Sequence, residues 1–208
     1  LTHIFNTHHH FDHVGGNAEL KNRFGVTVIG PKADEDRILE IDRGVAGGEA
    51  FKFGKYDVHV LHTPGHTRGH CAYYIPAANS IFVGDTLFMP DGGSARCDFP
   101  GGSAEELYDS IQKVLALPDE TRLFMCHDYG PGGRTIAWET TVAEQKAKNI
   151  HVGAGKTKED FVEFRTERDA QLAMPKLIIP SLQVNMRAGE VPTDKDGNPM
   201  LKVPVNGL

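Results

Sequence analysis

Short alternating runs dominate the first part of the chain, and longer helical periods come later. Thr2 to Thr7 alternates enough apolar character for a short strand, which leaves the polar, histidine-rich run after it in a loop loosened by Gly15 and Gly16. Asn17 to Phe24 predicts a helix capped by Asn17, with Ala18, Leu20 and Phe24 facing inward. The run VTVIG at 26–30 predicts a buried strand, completing a βαβ unit. From Ala50 to Ile75 the runs FKFG, YDVHVLHT and HCAYYI predict consecutive strands separated by glycine-bearing turns, and SIFVG at 80–84 a further one. Residues 85–103 read as a long loop, a length that in a compact domain usually serves function. Ser103 opens a helix with Glu106 at capping-box spacing and an apolar stripe of Leu107, Ile111, Val114 and Leu115. RLFMC at 122–126 predicts a strand, and 137–149 and 157–171 predict helices. From Pro175 the proline-rich tail is expected to wrap the surface. Strands alternating with helices, and chemistry collected after strands, indicate an α/β sheet with its ligand site at the strand ends.

The length of 208 residues and 39% hydrophobic content fit a single domain, with residues 1–174 as core and 175–208 as a tail packed on it. Lys and Arg total 22 against 28 Asp and Glu, a formal charge of −6 that argues against nucleic-acid or polybasic membrane binding and for a small-molecule partner. Cys71, Cys97 and Cys126 are too few and too unevenly placed for a disulfide framework, which points to reduced thiols and a cytoplasmic setting. No apolar run reaches the roughly 18 residues of a membrane helix. Assembly into a homo-oligomer stays open. Leu1 is not an initiator, so the expectation is that something precedes it.

The densest chemistry lies in THHHFDH. His8, His10, Asp12 and His13 are close enough in sequence for imidazoles and a carboxylate to converge on metal without long loop closure. The alternatives are a solvated histidine loop or a purification tag, but a tag would not contain Asp12 or run on as VGGN. In an extended segment His8 and His10 project to one side, and His9 turns away to a packing or supporting role. In HTPGHTRGH, the proline-glycine turn after a strand can hold His66 rigidly as a ligand. His62 and His70 read better as hydrogen-bonded structural histidines, and His3, His59 and His151 are not proposed as ligands. Asp85 follows the apolar SIFVG, an expensive place for a charge unless a cation or donor pairs with it. Thr86 either supports that carboxylate or caps a turn. RLFMC then delivers His127 and Asp128 at another strand end.

These motifs, THHHFDHVGG, HTPGHTRGH, FVGDTLF and CHDY, resemble the metallo-β-lactamase superfamily in its own order. The resemblance implies an αββα sandwich, here short of its N-terminal strands. It implies one metal on His8, His10 and His66, another on Asp12, His13 and His127, and Asp85 bridging them. Residues 1 to about 88 resemble glyoxalase II (hydroxyacylglutathione hydrolase). From Met89 onward GSARCDFPGGSAEELYDSI, LPDETRLFMCHDY and PSLQVNMRAG resemble the persulfide dioxygenase branch, with its R-x-D-F motif carried by Arg96, Asp98 and Phe99. The C-G-K/R loop and C-terminal basic helix expected of glyoxalase II are not evident.

The resulting expectation is a metallo-hydrolase that cleaves a glutathione thioester by a metal-bound hydroxide, using two divalent ions, zinc or mixed iron and zinc. Asp12 and Asp85 are its catalytic carboxylates. Arg96 and Phe99 are its substrate contacts, Arg96 pairing with a glutathione carboxylate unless it is simply a solvated surface charge. The rival is a persulfide dioxygenase acting on glutathione persulfide, with a single Fe(II) on His8, His66 and Asp85. A third reading is a metal-binding fragment without activity.

Overall fold

In the computed structural model, which describes residues 1–173, 179, 183–184, 187 and 190–202, the chain divides into two compact units. The first takes Leu1–Val45 with Ala173–Leu208, and the second Ala46–Leu172. Much of the proline-rich tail, including Pro175, Pro180, Pro204 and most of PSLQVNMRAG, lies outside the described residues.

The first unit starts with β1 (His3–Phe5), followed by a single helical turn α1 (Phe11–Val14), α2 (Asn17–Phe24) and β2 (Thr27–Pro31), and a short β3 (Arg43–Val45). The three strands form one sheet in the order β1-β2-β3, and both pairings are parallel. The expected βαβ unit is therefore present, with α2 as its crossover. Two details differ from expectation. Asn17 does not cap α2, since Gly16 holds the cap position without a side-chain bond and the Asn17 amide instead donates to Asn6 Oδ1 at 2.8 Å. Phe24 is 46% exposed rather than inward, on a helix whose polar sequence buries only Asn17. The Asn6–Asn17 exchange closes the histidine loop, and Asn6 Nδ2 also donates to the His13 carbonyl at 2.9 Å.

The second unit is built on a six-stranded sheet in sequence order: β4 (Ala50–Phe53), β5 (Tyr56–His62), β6 (Cys71–Ile75), β7 (Ser80–Phe82), β8 (Arg122–Phe124) and β9 (Glu139–Thr141). Neighbours are antiparallel except β7 and β8, which run parallel because α3 (Ala104–Leu115) crosses between them. Ser103 caps α3 by accepting from the Glu106 N–H at 3.2 Å, and all four residues of the expected stripe are buried. They join Ile81, Val83, Leu87, Leu123, Val142 and Phe161 in one core cluster. The helix expected over 137–149 begins late. Glu139–Thr141 pairs with β8 instead, and only α4 (Val142–Lys148) is helical, since the open edge of β8 claims a β-branched ETT run whose backbone then needs ladder partners. The last helix, α5 (Lys158–Ala170), starts from a full capping box between Thr157 and Asp160. Among the described residues no helix is long and apolar enough to cross a membrane.

Candidate metal centre

In the first unit the site-bearing run leaves the end of β1, where the Asn6 N–H still donates to the Ile29 carbonyl at 2.8 Å. The chain bends at residues 7–9 and, after an extended His10, enters α1, whose first amides return to the His10 carbonyl. His8 Nε2 and His10 Nδ1 lie 3.0 Å apart, and the His8 and His13 rings are 4.1 Å apart between centroids. His9 turns away and meets Asp34 Oδ2 at 3.0 Å, in a segment that bends at residues 7–9 instead of keeping the extended alternation expected of it. Asp12 and His13 stand on the helical turn, 3.5 Å apart, with Asp12 exposed and His8 fully buried.

In the second unit His66 sits in the turn between β5 and β6. Gly65 has φ +132°, and a Cβ there would lie 2.4 Å from Leu107 Cα, so only glycine lets this turn press against α3. The turn is held from that helix, with Ser103 N–H donating to the Gly65 carbonyl at 2.9 Å and Ser110 Oγ to the Pro64 carbonyl at 2.7 Å. His66 Nδ1 lies 2.6 Å from the Arg96 carbonyl; a carbonyl only accepts, so Nδ1 carries the hydrogen and Nε2 the lone pair. That Nε2 is 3.3 Å from Asp85 Oδ2. On the other carboxylate oxygen, Asp85 Oδ1, His127 Nε2 stands at 3.5 Å and the Cys126 thiol donates at 2.8 Å. Asp85 itself is 7% exposed and lies where the backbone kinks after β7.

His70 is not a ligand in this arrangement. Its Nε2 accepts from the Asp85 N–H at 2.9 Å, and its Nδ1 lies 2.8 Å from Thr63 Oγ1, so it fixes the backbone that presents Asp85. His62 Nε2 meets the Arg68 carbonyl at 3.1 Å. Thr86 does not support the carboxylate; its Oγ1 is buried without a hydrogen-bond partner. Arg96 makes a bidentate pair with Asp98 at 2.6 and 2.7 Å and lies over the Phe99 ring, whose centroid is 5.6 Å from that of His66. Asp128 is held by Arg134 and by the Ala137 and Gly130 amides, which keep its carboxyl well below the usual range. Arg134 also grips Asp91, tying the loop after β8 to the loop after β7.

Two contributors were not singled out from sequence: Cys126 beside Asp85 and Asp34 beneath His9. The signal available for Cys126 was its place immediately before His127. For Asp34 local sequence held none, whereas His70 is the hydrogen-bonded structural histidine expected of it.

The donor set fits a cation. A neutral imidazole lone pair and a carboxylate oxygen 3.3 Å apart repel unless a proton or metal lies between them, and the same carboxylate meets a second imidazole from its other oxygen. Each unit thus carries histidine, aspartate or cysteine side chains able to hold a metal.

The chain is similar to a probable metallo-hydrolase of Burkholderia pseudomallei, 44% identical over 232 residues and covering 99% of this chain and 79% of that one. It is similar to glyoxylase B2 of Dictyostelium discoideum, 43% identical, covering 99% and 76%. Among solved structures it matches ETHE1 from Myxococcus xanthus with a TM-score of 0.78 and 35% identity, over 91% of this chain and 78% of that one. The profile of the metallo-beta-lactamase superfamily matches residues 1–127, the stretch that runs from the first histidine cluster to His127, so the residues gathered above are those of a protein that belongs to the metallo-beta-lactamase superfamily.

Proposed function

We propose that this chain is a two-metal hydrolase that cleaves a glutathione thioester. The observation carrying this reading is the address of Asp85, whose two oxygens face two different imidazoles, as a carboxylate shared by two ions would. In this reading His8, His10 and His66 serve one ion, Asp12, His13 and His127 the other, and Asp85 both. Bound divalent ions would supply Lewis acidity and a water activated near neutral pH. The chain's own part is orientation. The Arg96 carbonyl keeps the His66 lone pair on Nε2, and His70 holds the Asp85 backbone. In this reading Asp12, exposed on its helical turn, also orients the attacking water. Arg96 and Phe99 offer a cation and a ring edge beside His66, where a substrate carboxylate would compete with Asp98 for the guanidinium. The name of the Dictyostelium relative supports this reading.

The second reading is a single-iron persulfide dioxygenase on His8, His66 and Asp85. It is favoured by the likeness to ETHE1 and by the Arg96, Asp98 and Phe99 cluster. Side-by-side assays of purified protein with a lactoylglutathione-type thioester and with glutathione persulfide separate the two. Thioester cleavage without oxygen uptake supports the hydrolase. Oxygen uptake on persulfide without thioester cleavage overturns it.

A further inference from the structure

Behind His66, the backbone of residues 94–97 is held by an antiparallel bridge between Leu87 and Ser94 and, beyond it, by side chains. The Ser94 N–H donates to His151 Nδ1 at 2.9 Å, and Ser94 Oγ lies 3.0 Å from the same atom. Arg165 donates to the carbonyls of Ser94 and Ala95 at 3.3 and 3.4 Å. The Cys97 N–H donates to Asp169 Oδ2 at 2.9 Å, and its thiol approaches that oxygen at 3.4 Å. In the middle of this stretch the Arg96 carbonyl accepts from His66. Arg165 and Asp169 lie one turn apart on α5, 3% and 5% exposed, and are joined at 2.5 Å. Gly93 completes the fit, because a Cβ there would come within 2.2 Å of His151 Nδ1.

A buried ion pair is a poor way to stabilise a helix against a core, since well-packed apolar residues of similar volume usually do as well or better. Arg165 even leaves its Nε without a partner. What the pair does supply is direction, because fixed donors and acceptors hold peptide groups that a glycine- and proline-rich loop would not hold alone. The only peptide carbonyl between those held points that faces a candidate ligand is that of Arg96. We propose that Arg165, Asp169 and His151 are positioning residues that fix residues 94–97, so that the Arg96 carbonyl sets the tautomer and aim of the His66 ring. Their importance for metal uptake rests on the reading of His66 as a ligand; the tautomer does not.

The test compares wild-type protein with Asp169→Asn, Asp169→Glu and, as a core-destabilised control, Val114→Ala. Nitrogen-15 NMR of the histidine rings in metal-free protein reads which His66 nitrogen carries hydrogen, and competition with a chromophoric chelator reads zinc affinity. Asp169→Asn is expected to lose the pure Nδ1–H form and to weaken zinc binding by about 10–100-fold, the usual cost of losing the outer partners of a ligating histidine. Asp169→Glu recovers part of both, and Val114→Ala changes neither. A folded Asp169→Asn with wild-type tautomer and zinc affinity overturns the proposal, as does an equal loss in Val114→Ala. If Asp169→Asn does not fold, His151→Phe removes the acceptor of the Ser94 amide while keeping a ring against Phe164, and the same two outcomes apply. A tautomer change in Asp169→Asn in protein that takes up no metal upholds the positioning and sinks the ligand reading instead.

Discussion

His127 Nε2 stands 3.5 Å from Asp85 Oδ1, on the opposite carboxylate oxygen from the one that His66 faces at 3.3 Å. One buried carboxylate thus serves two imidazoles reached from different strand ends, and the metal predictions follow from that division.

His66→Ala is expected to reduce metal content and activity together. The loss of zinc affinity should exceed the roughly 10–100-fold cost of an outer partner, because a donor atom itself is removed. Elemental analysis after dialysis against zinc checks this. Unchanged metal content would remove His66 from the ligand set.

Arg96→Ala should keep the metal and damage substrate use. The backbone carbonyl that orients His66 survives the substitution, whereas the guanidinium over Phe99 does not. A fall in kcat/KM of about tenfold, near 1.4 kcal/mol, with metal content unchanged is the expected pattern. Wild-type kinetics would show that the guanidinium serves only its pair with Asp98.

Acid should weaken the protein partly through His151. Burial, with Arg165, Lys156 and Arg168 nearby, pushes its pKa from 6.5 down to about 4. The unfolded chain therefore binds a proton that the folded chain refuses between those values. Stability from this group is complete above about pH 6.5 and is lost as pH falls through about 4, on the order of 2 kcal/mol after allowing for the ring's partial exposure. Urea unfolding of wild type and His151→Phe at pH 7 and pH 4 measures it. The gap between the two proteins should shrink at the lower pH, and a gap independent of pH would contradict this assignment.

The crossover helix, which backs the His66 turn, gives a stability check that needs no metal. Leu107 and Ile111 are fully buried, so Leu107→Ala should cost roughly 2–5 kcal/mol, against about 1 kcal/mol for Ser103→Ala at the cap. Chemical denaturation decides whether the order holds.

What was readable in the sequence follows the range of the interactions. The strand and helix around the first histidine cluster were legible because their signals are local, as were the Ser103 cap and the stripe behind it. Glu139–Thr141 was misread because pairing with β8 overrode a local helical pattern, and Arg43–Val45 is too short to announce itself. The candidate histidine and aspartate ligands were proposed from local spacing alone. Their supports are not local: Asp34 reaches His9 across 25 residues, His151 reaches Ser94 across 57, and Asp169 reaches Cys97 across 72. Only folding brings those partners together.

The most direct test of the two-ion account is metal stoichiometry on untagged protein, wild type beside His127→Ala. The account predicts about two ions per chain in wild type, falling to about one when the His127 side of Asp85 is removed. A single iron per chain, unchanged in His127→Ala, would contradict it and move the assignment to the single-iron site.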